Sequence, residues 1–449
     1  MSNENAALRQ AAATVYLPGD DGYDAGRTTW AISQDLRPAA VVVPESVDEV
    51  GAVVRAAAES GLRVAPIGTG HNAYPFKDLS GTVLLRMSRF SDIDIRPATR
   101  TARVGAGAVW LPVVEAAQQH DLAGMHGSAV DVGVVGYHTN GGLSWYSRQH
   151  GLAANHVAAV EIVTADGVAV RADATHETDL FWAVRGGGGN FGVITAIEFE
   201  LLPFGSAYAG MLGWDLTDAP KVLERWREWT LAAPERVTSA YRHTQFPPIP
   251  QIPEPFRGRQ WVIVDGAILG DEPERLLAPL RELRPELDTW ARVPATAVPR
   301  IHMDPEGPTP GAADALLLDG LPQSAVDRML ELTGPGSGMG LVAAELRHLG
   351  GALARPASGG GATSWLDGQY HALAAGFAFD EAGKAATLAE AARFVAAVGE
   401  NNSSGRHYLG LHQGSGGTRT GYDDATWRRL TELKAKLDPG RVFRANHEL

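Results

Sequence analysis

The first part of the chain alternates between two spacings of apolar positions, one typical of strands and one typical of helices. Residues 41–43 are consecutive valines, and a proline ends the run. Ser46 and Glu49 then form the S-x-x-E pattern of a helix N-terminus, and valines within 47–54 recur at helical spacing. Residues 63–67 return to a short apolar run. The pattern predicts a strand–helix–strand unit that resembles a βαβ crossover.

The alternation continues to about residue 201. Asp166-Gly167 separates two apolar runs and predicts a hairpin. Strands are predicted at 82–85, 101–104, 158–163, 168–171 and 191–201, and helices at 111–119 and 178–185.

The character of the chain changes near Pro203, where proline clusters begin to interrupt the pattern. Strands are predicted at 261–269, 341–346 and 369–379, and helices at 220–231, 274–281, 324–332 and 382–398. We predict one domain formed by 1–203 together with 408–449, and a second α+β domain formed by 204–407.

Composition excludes several classes of protein. The chain has 449 residues, 45% of them hydrophobic, a net charge of −13 and no cysteine. The negative charge argues against a nucleic-acid partner, and the missing cysteine excludes disulfides and thiolate chemistry. No segment predicts a membrane span or a signal peptide, so a cytoplasmic location is expected. The oligomeric state is open, with a homodimer as one option.

Glycine-rich loops are the main candidates for ligand binding. Gly68-Thr69-Gly70-His71-Asn72 follows the strand at 63–67, and further glycine clusters lie at 133–136, 141–142 and 186–189. Several such loops can converge on one extended anionic ligand, which favours a large dinucleotide. A nicotinamide-type Rossmann site is disfavoured, because Trp110 stands where the third glycine of its fingerprint belongs. Each cluster by itself could also be only a turn.

Five segments together resemble one family of flavin enzymes. They are RGGGGNFGVI at 185–194, the loop 66–72, the glycine segment 127–152, EIVTADG at 161–167 and LDPGRVFRAN at 437–446. The chain is similar in these segments to FAD-linked oxidases related to berberine bridge enzyme and 6-hydroxy-D-nicotine oxidase, within the vanillyl-alcohol oxidase superfamily. The resemblance implies an α+β fold. The resemblance further implies that a vanillyl-alcohol-oxidase-type FAD-binding domain is joined to a substrate domain whose antiparallel sheet is covered by helices.

The same resemblance assigns residues to the cofactor. His71 falls on the histidine that bonds the flavin in this family, although it could instead only contact the cofactor. The second, cysteinyl bond of many relatives falls on Ala129 and cannot form. Val132 falls where the family often places a residue that controls access of O₂, although it could also be an ordinary core valine. The full cofactor-binding set implied is Ile67, Gly68, Thr69, Gly70, His71, Asn72, Gly127, Ser128, Val132, Gly133, Gly136, Tyr137, Asn140, Gly141, Gly142, Gly189, Asn190, Gly192, Val193 and Asn446.

The catalytic residues are the least constrained part of the prediction. Tyr370 and His371 point to opposite faces of one strand, and we choose Tyr370 because tyrosines on that sheet face substrate in several relatives. Tyr408 and Glu345 are the other candidates. We predict no metal site, because His407 and His412 would lie on opposite faces of a strand.

The resemblance implies an FAD-dependent oxidase acting on a small alcohol, amine or natural-product intermediate of secondary metabolism, with O₂ as electron acceptor. Two alternatives remain: a dehydrogenase that uses another acceptor, and a flavin-binding protein without redox turnover.

Overall fold

The computed structural model describes residues 3–413 and 417–449, and it divides the strands of the chain among three sheets. The first sheet has the order β1-β2-β4-β3 and contains β1 (Val15–Tyr16), β2 (Ala40–Val42), β3 (Arg63–Ile67) and β4 (Thr82–Arg86). The second has the order β5-β6-β9-β7-β8 and contains β5 (Ile93–Arg96), β6 (Thr101–Gly105), β7 (Val157–Val163), β8 (Ala169–Asp173) and β9 (Val193–Glu200).

The third sheet has eight strands in the described residues and is antiparallel. Its order is β13-β10-β12-β11-β16-β17-β15, with β14 paired to β10. It contains β10 (Ser206–Asp215), β11 (Val237–Gln245), β12 (Gln260–Ile268), β13 (Leu287–Asp288), β14 (Ala291–Pro294), β15 (Gly311–Leu318), β16 (Ala343–His348) and β17 (Tyr370–Phe377).

The helices connect and cover these sheets. They are α1 (Asn3–Ala11), α2 (Tyr23–Arg27), α3 (Val47–Glu59), α4 (Trp110–Gln118), α5 (Val134–Thr139), α6 (Ser147–His150), α7 (Thr178–Gly187), α8 (Ala219–Ala232), α9 (Pro273–Arg281), α10 (Gln323–Thr333), α11 (Glu381–Gly399) and α12 (Asp424–Leu437). Within the described ranges, no helix combines the length and the apolar character needed to cross a bilayer.

The crossover predicted at the start of the chain forms with one difference. Ser46 accepts a hydrogen bond from the Glu49 amide at 3.2 Å, and Gly61 follows α3 with a φ of +69°. Strands β2 and β3 are parallel, but both pair with β4, which lies between them. The local pattern predicts the crossover, whereas the position of β4 depends on long-range pairing.

The two faces of the third sheet differ in what they contact. One face packs under α8 to α11 in the largest apolar cluster, which includes Trp226, Tyr241 and Phe394. The other face presents alanines such as Ala209 and Ala240 to Trp145 and Tyr146 of the glycine segment 127–152. We call the first the helix face and the second the loop face. Any residue of this sheet that acts on a ligand held between the sheet and the glycine segment must therefore lie on the loop face.

The C-terminal segment returns to the first sheet and is held there by a buried ion pair. The Lys434 ammonium donates to Asp438 Oδ2 at 2.5 Å, and to the carbonyls of Asn190 at 2.7 Å and Phe443 at 3.2 Å. Asp438 also accepts two backbone amides, and the Val64 amide donates to the Val442 carbonyl. The last residues therefore become a part of the same core as β3.

Replacing Lys434 by methionine is expected to lower the free energy of unfolding by about 2 kcal/mol, because it leaves Asp438 buried without its cation. The loss stays moderate because two amides still bind that carboxylate. Urea unfolding at neutral pH measures it. Lys436→Met is the matched control, since Lys436 lies on the same helix with 66% of its side chain exposed. Equal losses in both variants would contradict the role given to the buried pair.

Candidate functional site

The loop that follows β3 has a backbone suited to binding an anion. Gly70 has a φ of +78°, and a Cβ there would lie 2.6 Å from Thr29 Cβ, so glycine is required. In the described residues, no protein acceptor takes the backbone amide hydrogens of residues 68–72. Successive free amides of this kind form a concave anion site.

A second loop meets the first one at residues 131–133. A Cβ on Gly133 would lie 3.7 Å from Thr69 Oγ1 and 3.8 Å from the Thr69 amide nitrogen. Within the described ranges, the amides of 131–133 also lack a protein acceptor. A Cβ on Gly136, in the next turn, would meet nothing within 4 Å. Two facing loops with free amides fit the diphosphate of a dinucleotide, which is what the sequence predicts for them.

His71 lies at the centre of a defined set of contacts. Its Nδ1 is 2.7 Å from Thr69 Oγ1, and its Nε2 is 3.2 Å from Asp131 Oδ1. The Trp30 ring stacks on the imidazole, with centroids 4.3 Å apart and planes inclined by 21°. Burial raises the pKa of the Asp131 carboxyl, but hydrogen bonds from His71, Gly307 and Trp30 outweigh it and lower the pKa to about 2. Asp131 is therefore an anion beside His71.

The paired glycines at 141–142 make room for two tyrosines. Gly141 and Gly142 have φ values of +102° and +74°. A Cβ on Gly141 would lie 2.9 Å from Tyr408 Cε2, and one on Gly142 would lie 2.6 Å from Tyr137 Cε1. Gly127 also packs against the Tyr137 ring. Burial raises the pKa values of Tyr137 and Tyr408, so both phenols are neutral.

The predicted asparagines bind the chain's own backbone. Asn190 donates to the carbonyls of Gly187 and His447, both at 2.8 Å, and accepts from the Leu449 amide. Asn140 donates to the Gly136 carbonyl, and Asn446 donates to the Asn72 carbonyl. These side chains hold the loops in place. They would therefore contribute to ligand binding by fixing the shape of the loops.

The remaining predicted positions divide between the loops and the core. A Cβ on Gly189 would lie 3.3 Å from Pro66, which brings the 186–189 cluster beside the first loop. Gly192 has no room for a side chain against Ile162 and Val163. Ile67 and Val193 are buried core residues, and Val132 is partly buried.

The choice of Tyr370 as the flavin-facing residue of β17 is wrong. Tyr370 lies on the helix face, where its hydroxyl is 2.6 Å from Thr230 Oγ1 and its ring packs against Trp226. The alternation itself holds, because His371 lies on the opposite, loop face and pairs in register with Arg347. His371 is fully buried, and both of its ring nitrogens lack a hydrogen-bond partner among the described residues.

Glu345 belongs to a buried network of charged side chains on the loop face. His302 Nδ1 is 2.8 Å from Asp265 Oδ2, and His302 Nε2 is 3.1 Å from Glu345 Oε2. Arg242 donates to Asp265 at 2.7 Å, and Arg347 pairs with Glu345. We call Arg242, Asp265, His302, Glu345 and Arg347 the charged network.

The charge state of His302 follows from its three carboxylate neighbours. Burial and Arg242 lower the pKa of His302, but Asp265, Asp304 and Glu345 outweigh them and raise it to about 9. Arg347 Nη2 lies 3.3 Å from Nε2 and opposes protonation, but each ring nitrogen has a carboxylate oxygen closer than that. The pKa of Glu345 is held well below its usual range by Arg347 and His302, against the effect of burial.

The charged network connects to the glycine segment through Ser128. Its hydroxyl donates to Asp304 Oδ2 at 2.7 Å, and Asp304 Oδ1 lies 3.9 Å from His302 Nε2. A cavity of about 20 Å³, enough for one water, lies between these two parts of the chain. It is lined by Ser128, Leu143, Ser144, Trp145, Thr238, Ser239, Arg347, His348 and Leu349.

A group of histidines lies next to the loop face. The rings of His407 and His412 are 4.1 Å apart, so the expectation that they point in opposite directions on a strand is wrong. Residues 407–413 form turns and irregular structure instead. Burial lowers the pKa values of His371 and His412 to about 3, and both rings are therefore neutral.

Sequence reasoning missed Trp30, Asp131, Asp265 and His302. Asp131 lies within the glycine segment 127–152, and its place in that segment was the only sequence signal available. The other three lie outside every motif.

The comparison with known families identifies the type of domain that contains the two glycine loops. The family model described as "FAD binding domain" matches residues 38–173, which include both loops. The chain carries an FAD binding domain. The predicted cofactor and the predicted family resemblance are confirmed, whereas the bond to His71 stays a prediction.

Curated relatives match about half of the chain. The FAD-linked oxidoreductase pynB of Aspergillus niger is 30% identical over 240 residues, covering 51% of this chain and 44% of that protein. The (R)-6-hydroxynicotine oxidase of Paenarthrobacter nicotinovorans is 32% identical over 226 residues, covering 50% of this chain and 48% of that protein. The chain thus spans less than half the length of these relatives.

The whole fold has solved counterparts. The BBE-like 1 protein of Physcomitrella patens superimposes with a TM-score of 0.84 at 20% identity, covering 99% of this chain and 98% of that one. The α+β fold predicted from the sequence, with its antiparallel sheet covered by helices, is confirmed.

Proposed function

We propose that this protein is an FAD-dependent oxidoreductase, and specifically an oxidase that takes a hydride from a small alcohol, amine or natural-product intermediate and passes the electrons to O₂. One observation carries the proposal: the FAD binding domain faces a buried, charged sheet surface across Ser128 and Asp304. Relatives named as oxidases, such as (R)-6-hydroxynicotine oxidase, add support.

The residues present fit the cofactor. The free amides of 68–72 and 131–133 would hold the diphosphate, and the glycine segment 127–152 would contact the flavin ring. Bound FAD supplies the hydride acceptor. The family resemblance suggests that Val132 controls access of O₂, and a valine in that role would favour an oxidase over a dehydrogenase.

The loop face offers the groups that would orient the substrate. His371 is neutral with both nitrogens free of protein partners in the described residues, so it can accept a hydrogen bond from an alcohol or amine. The Tyr408 ring lies 6.2 Å from the His371 ring, between centroids, and can donate from its neutral phenol. Glu345 remains a candidate for stabilising positive charge, although its pairing with His302 and Arg347 limits its use as a base.

The test starts from the absorption spectrum of the purified protein. A flavin spectrum, bleaching by a member of an alcohol and amine panel, and formation of H₂O₂ on turnover are the expected results. A colourless protein that does not take up added FAD would overturn the proposal. Bleaching without H₂O₂ would identify a dehydrogenase, and bound flavin that no substrate bleaches would favour a binding protein without turnover.

We further propose that His71 bonds the flavin, as the family resemblance implies. The absence of cysteine leaves no thiolate for a second bond. A natural-product substrate, a cytoplasmic location and a homodimer remain predictions from the sequence.

Acid precipitation tests the covalent bond. We expect yellow colour to stay in the pellet of the wild-type protein and to move to the supernatant for His71→Ala, because no side chain at 71 then bonds the ring. His120→Ala is the control, since His120 is exposed after α4. Colour in the wild-type supernatant would show that His71 only contacts the cofactor.

A further inference from the structure

Asp131 joins three distant segments of the chain at the imidazole of His71. Its Oδ2 accepts from the Trp30 indole at 2.8 Å and from the Gly307 amide at 2.7 Å. Its Oδ1 faces His71 Nε2 at 3.2 Å. Two neutral donors therefore occupy one carboxylate oxygen, and the other oxygen is left to the histidine.

This arrangement fixes which imidazole nitrogen carries the proton. A carboxylate only accepts hydrogen bonds, so His71 Nε2 must donate to Asp131. In neutral imidazole the other nitrogen, Nδ1, then carries a lone pair, which accepts a hydrogen bond from the Thr69 hydroxyl at 2.7 Å. The tautomer is thus assigned from the hydrogen-bond network.

The ring plane is fixed as well as the tautomer. The Trp30 ring stacks on His71 at 4.3 Å, and the same indole donates to Asp131. The side chain of His71 is 18% exposed and that of Asp131 is 25% exposed, so the pair is partly shielded from water. Such partial shielding strengthens a carboxylate–histidine interaction.

We propose that Asp131 is the positioning residue for covalent attachment of the flavin: it holds the proton on His71 Nε2 and so keeps Nδ1 unprotonated, as the nucleophilic nitrogen of the ring. The inference rests on the proposed bond to His71. A carboxylate that holds one ring nitrogen of a histidine, while the other nitrogen reacts, is a recurring arrangement in enzymes.

With O₂ as the oxidant, the atoms and electrons of the attachment reaction balance. The bond forms between Nδ1 and the 8-methyl carbon of the flavin, with both bonding electrons from the nitrogen lone pair. The methyl carbon loses one hydrogen as a proton. The two electrons left on the ring pass to O₂, which takes two protons and becomes H₂O₂. The imidazole is positively charged once the bond has formed, and Asp131 stabilises that charge until the Nε2 proton leaves.

A purely structural role for Asp131 makes a different prediction. If the carboxylate only ties Trp30 and Gly307 to the loop, its loss would lower flavin content and stability together. If it positions His71, its loss would lower covalent attachment while FAD still binds. The two roles therefore separate in one measurement.

The experiment compares Asp131→Asn with the wild-type holoprotein after expression with saturating riboflavin. Total flavin per protein is read from the spectrum, and the covalent fraction is read from the acid pellet. For Asp131→Asn we expect a covalent fraction at least about tenfold lower with total flavin within about 20% of wild type, as an effect of lost hydrogen bonding and charge. Trp30→Phe keeps a stacked ring but removes its hydrogen bond to Asp131, and we expect more than half of the covalent fraction, roughly, to remain.

Asp94→Asn serves as the folding control, because Asp94 is exposed on β5 and pairs with Arg96 at the surface. A covalent fraction unchanged in Asp131→Asn, or a parallel loss of all bound flavin, would overturn the inference. A wild-type flavin bonded through Nε2, identified by NMR of the His71 peptide, would overturn it too. None of these outcomes affects the proposed oxidoreductase activity, which fails only if wild-type flavin is absent or never reduced.

Discussion

Replacing Glu345 by glutamine is expected to lower the free energy of unfolding by about 3 kcal/mol at neutral pH. Glutamine keeps the shape of the side chain but removes the negative charge between His302 and Arg347. Its NH₂ group also adds a donor where the carboxylate accepts from both cations. The loss is large because the three side chains are at most 14% exposed, so water cannot replace the missing anion.

Urea unfolding of proteins with matched flavin content measures this loss. The control is Glu235→Gln, because Glu235 makes two hydrogen bonds to Arg355 at the surface, with 46% of its side chain exposed. That variant is expected to lose less than about 1 kcal/mol. If Glu345→Gln is no less stable than the control, the charged network contributes nothing to the fold.

Local signals carry the parts of the structure that the sequence predicts well. The N-terminal capping pattern at Ser46 and the Asp166-Gly167 turn depend on residues within four positions of each other. Both form as expected. The strands β10, β11 and β15 were not predicted, because their alanines, glycines and buried polar residues do not give the alternation of a half-exposed strand.

The wrong choice between Tyr370 and His371 has a physical cause. Alternation along β17 establishes that the two side chains point in opposite directions, and this holds. Which direction faces the FAD binding domain depends on where α8 and α11 pack, and this is set by contacts far apart in the chain. Strand periodicity contains no information about that packing.

The missed site residues lie far from their partners in sequence. Trp30 and Asp131 are separated by 101 positions, and Asp265 and Glu345 meet His302 across 37 and 43 positions. Each is a single polar or aromatic residue in its own segment, so none creates a periodic or motif-like signal. The glycine loops were predictable because a backbone that binds an anion needs several glycines close together.

The charged network should also make the stability of the protein depend on pH in the alkaline range. It contains three cations, Arg242, His302 and Arg347. Its two carboxylates, Asp265 and Glu345, become three with the neighbouring Asp304. Charges balance only while His302 is protonated. Its pKa is raised from 6.5 to about 9 in the folded protein. A group with a raised pKa contributes its full stabilisation below 6.5 and loses it as pH rises through about 9.

We therefore expect His302→Gln to remove a pH-dependent stabilisation of about 3 kcal/mol, since each pKa unit corresponds to about 1.4 kcal/mol. The measurement is the difference in unfolding free energy between wild type and variant, at several pH values from about 6 to about 10. This difference should be largest at the acidic end and shrink toward the alkaline end. His176→Gln is the control, because His176 contacts Asp173 at the surface with 73% of its side chain exposed. A wild-type-minus-variant difference that does not shrink toward alkaline pH would mean that the pKa of His302 is not raised in the folded protein and that Asp265 and Glu345 are balanced by the two arginines alone.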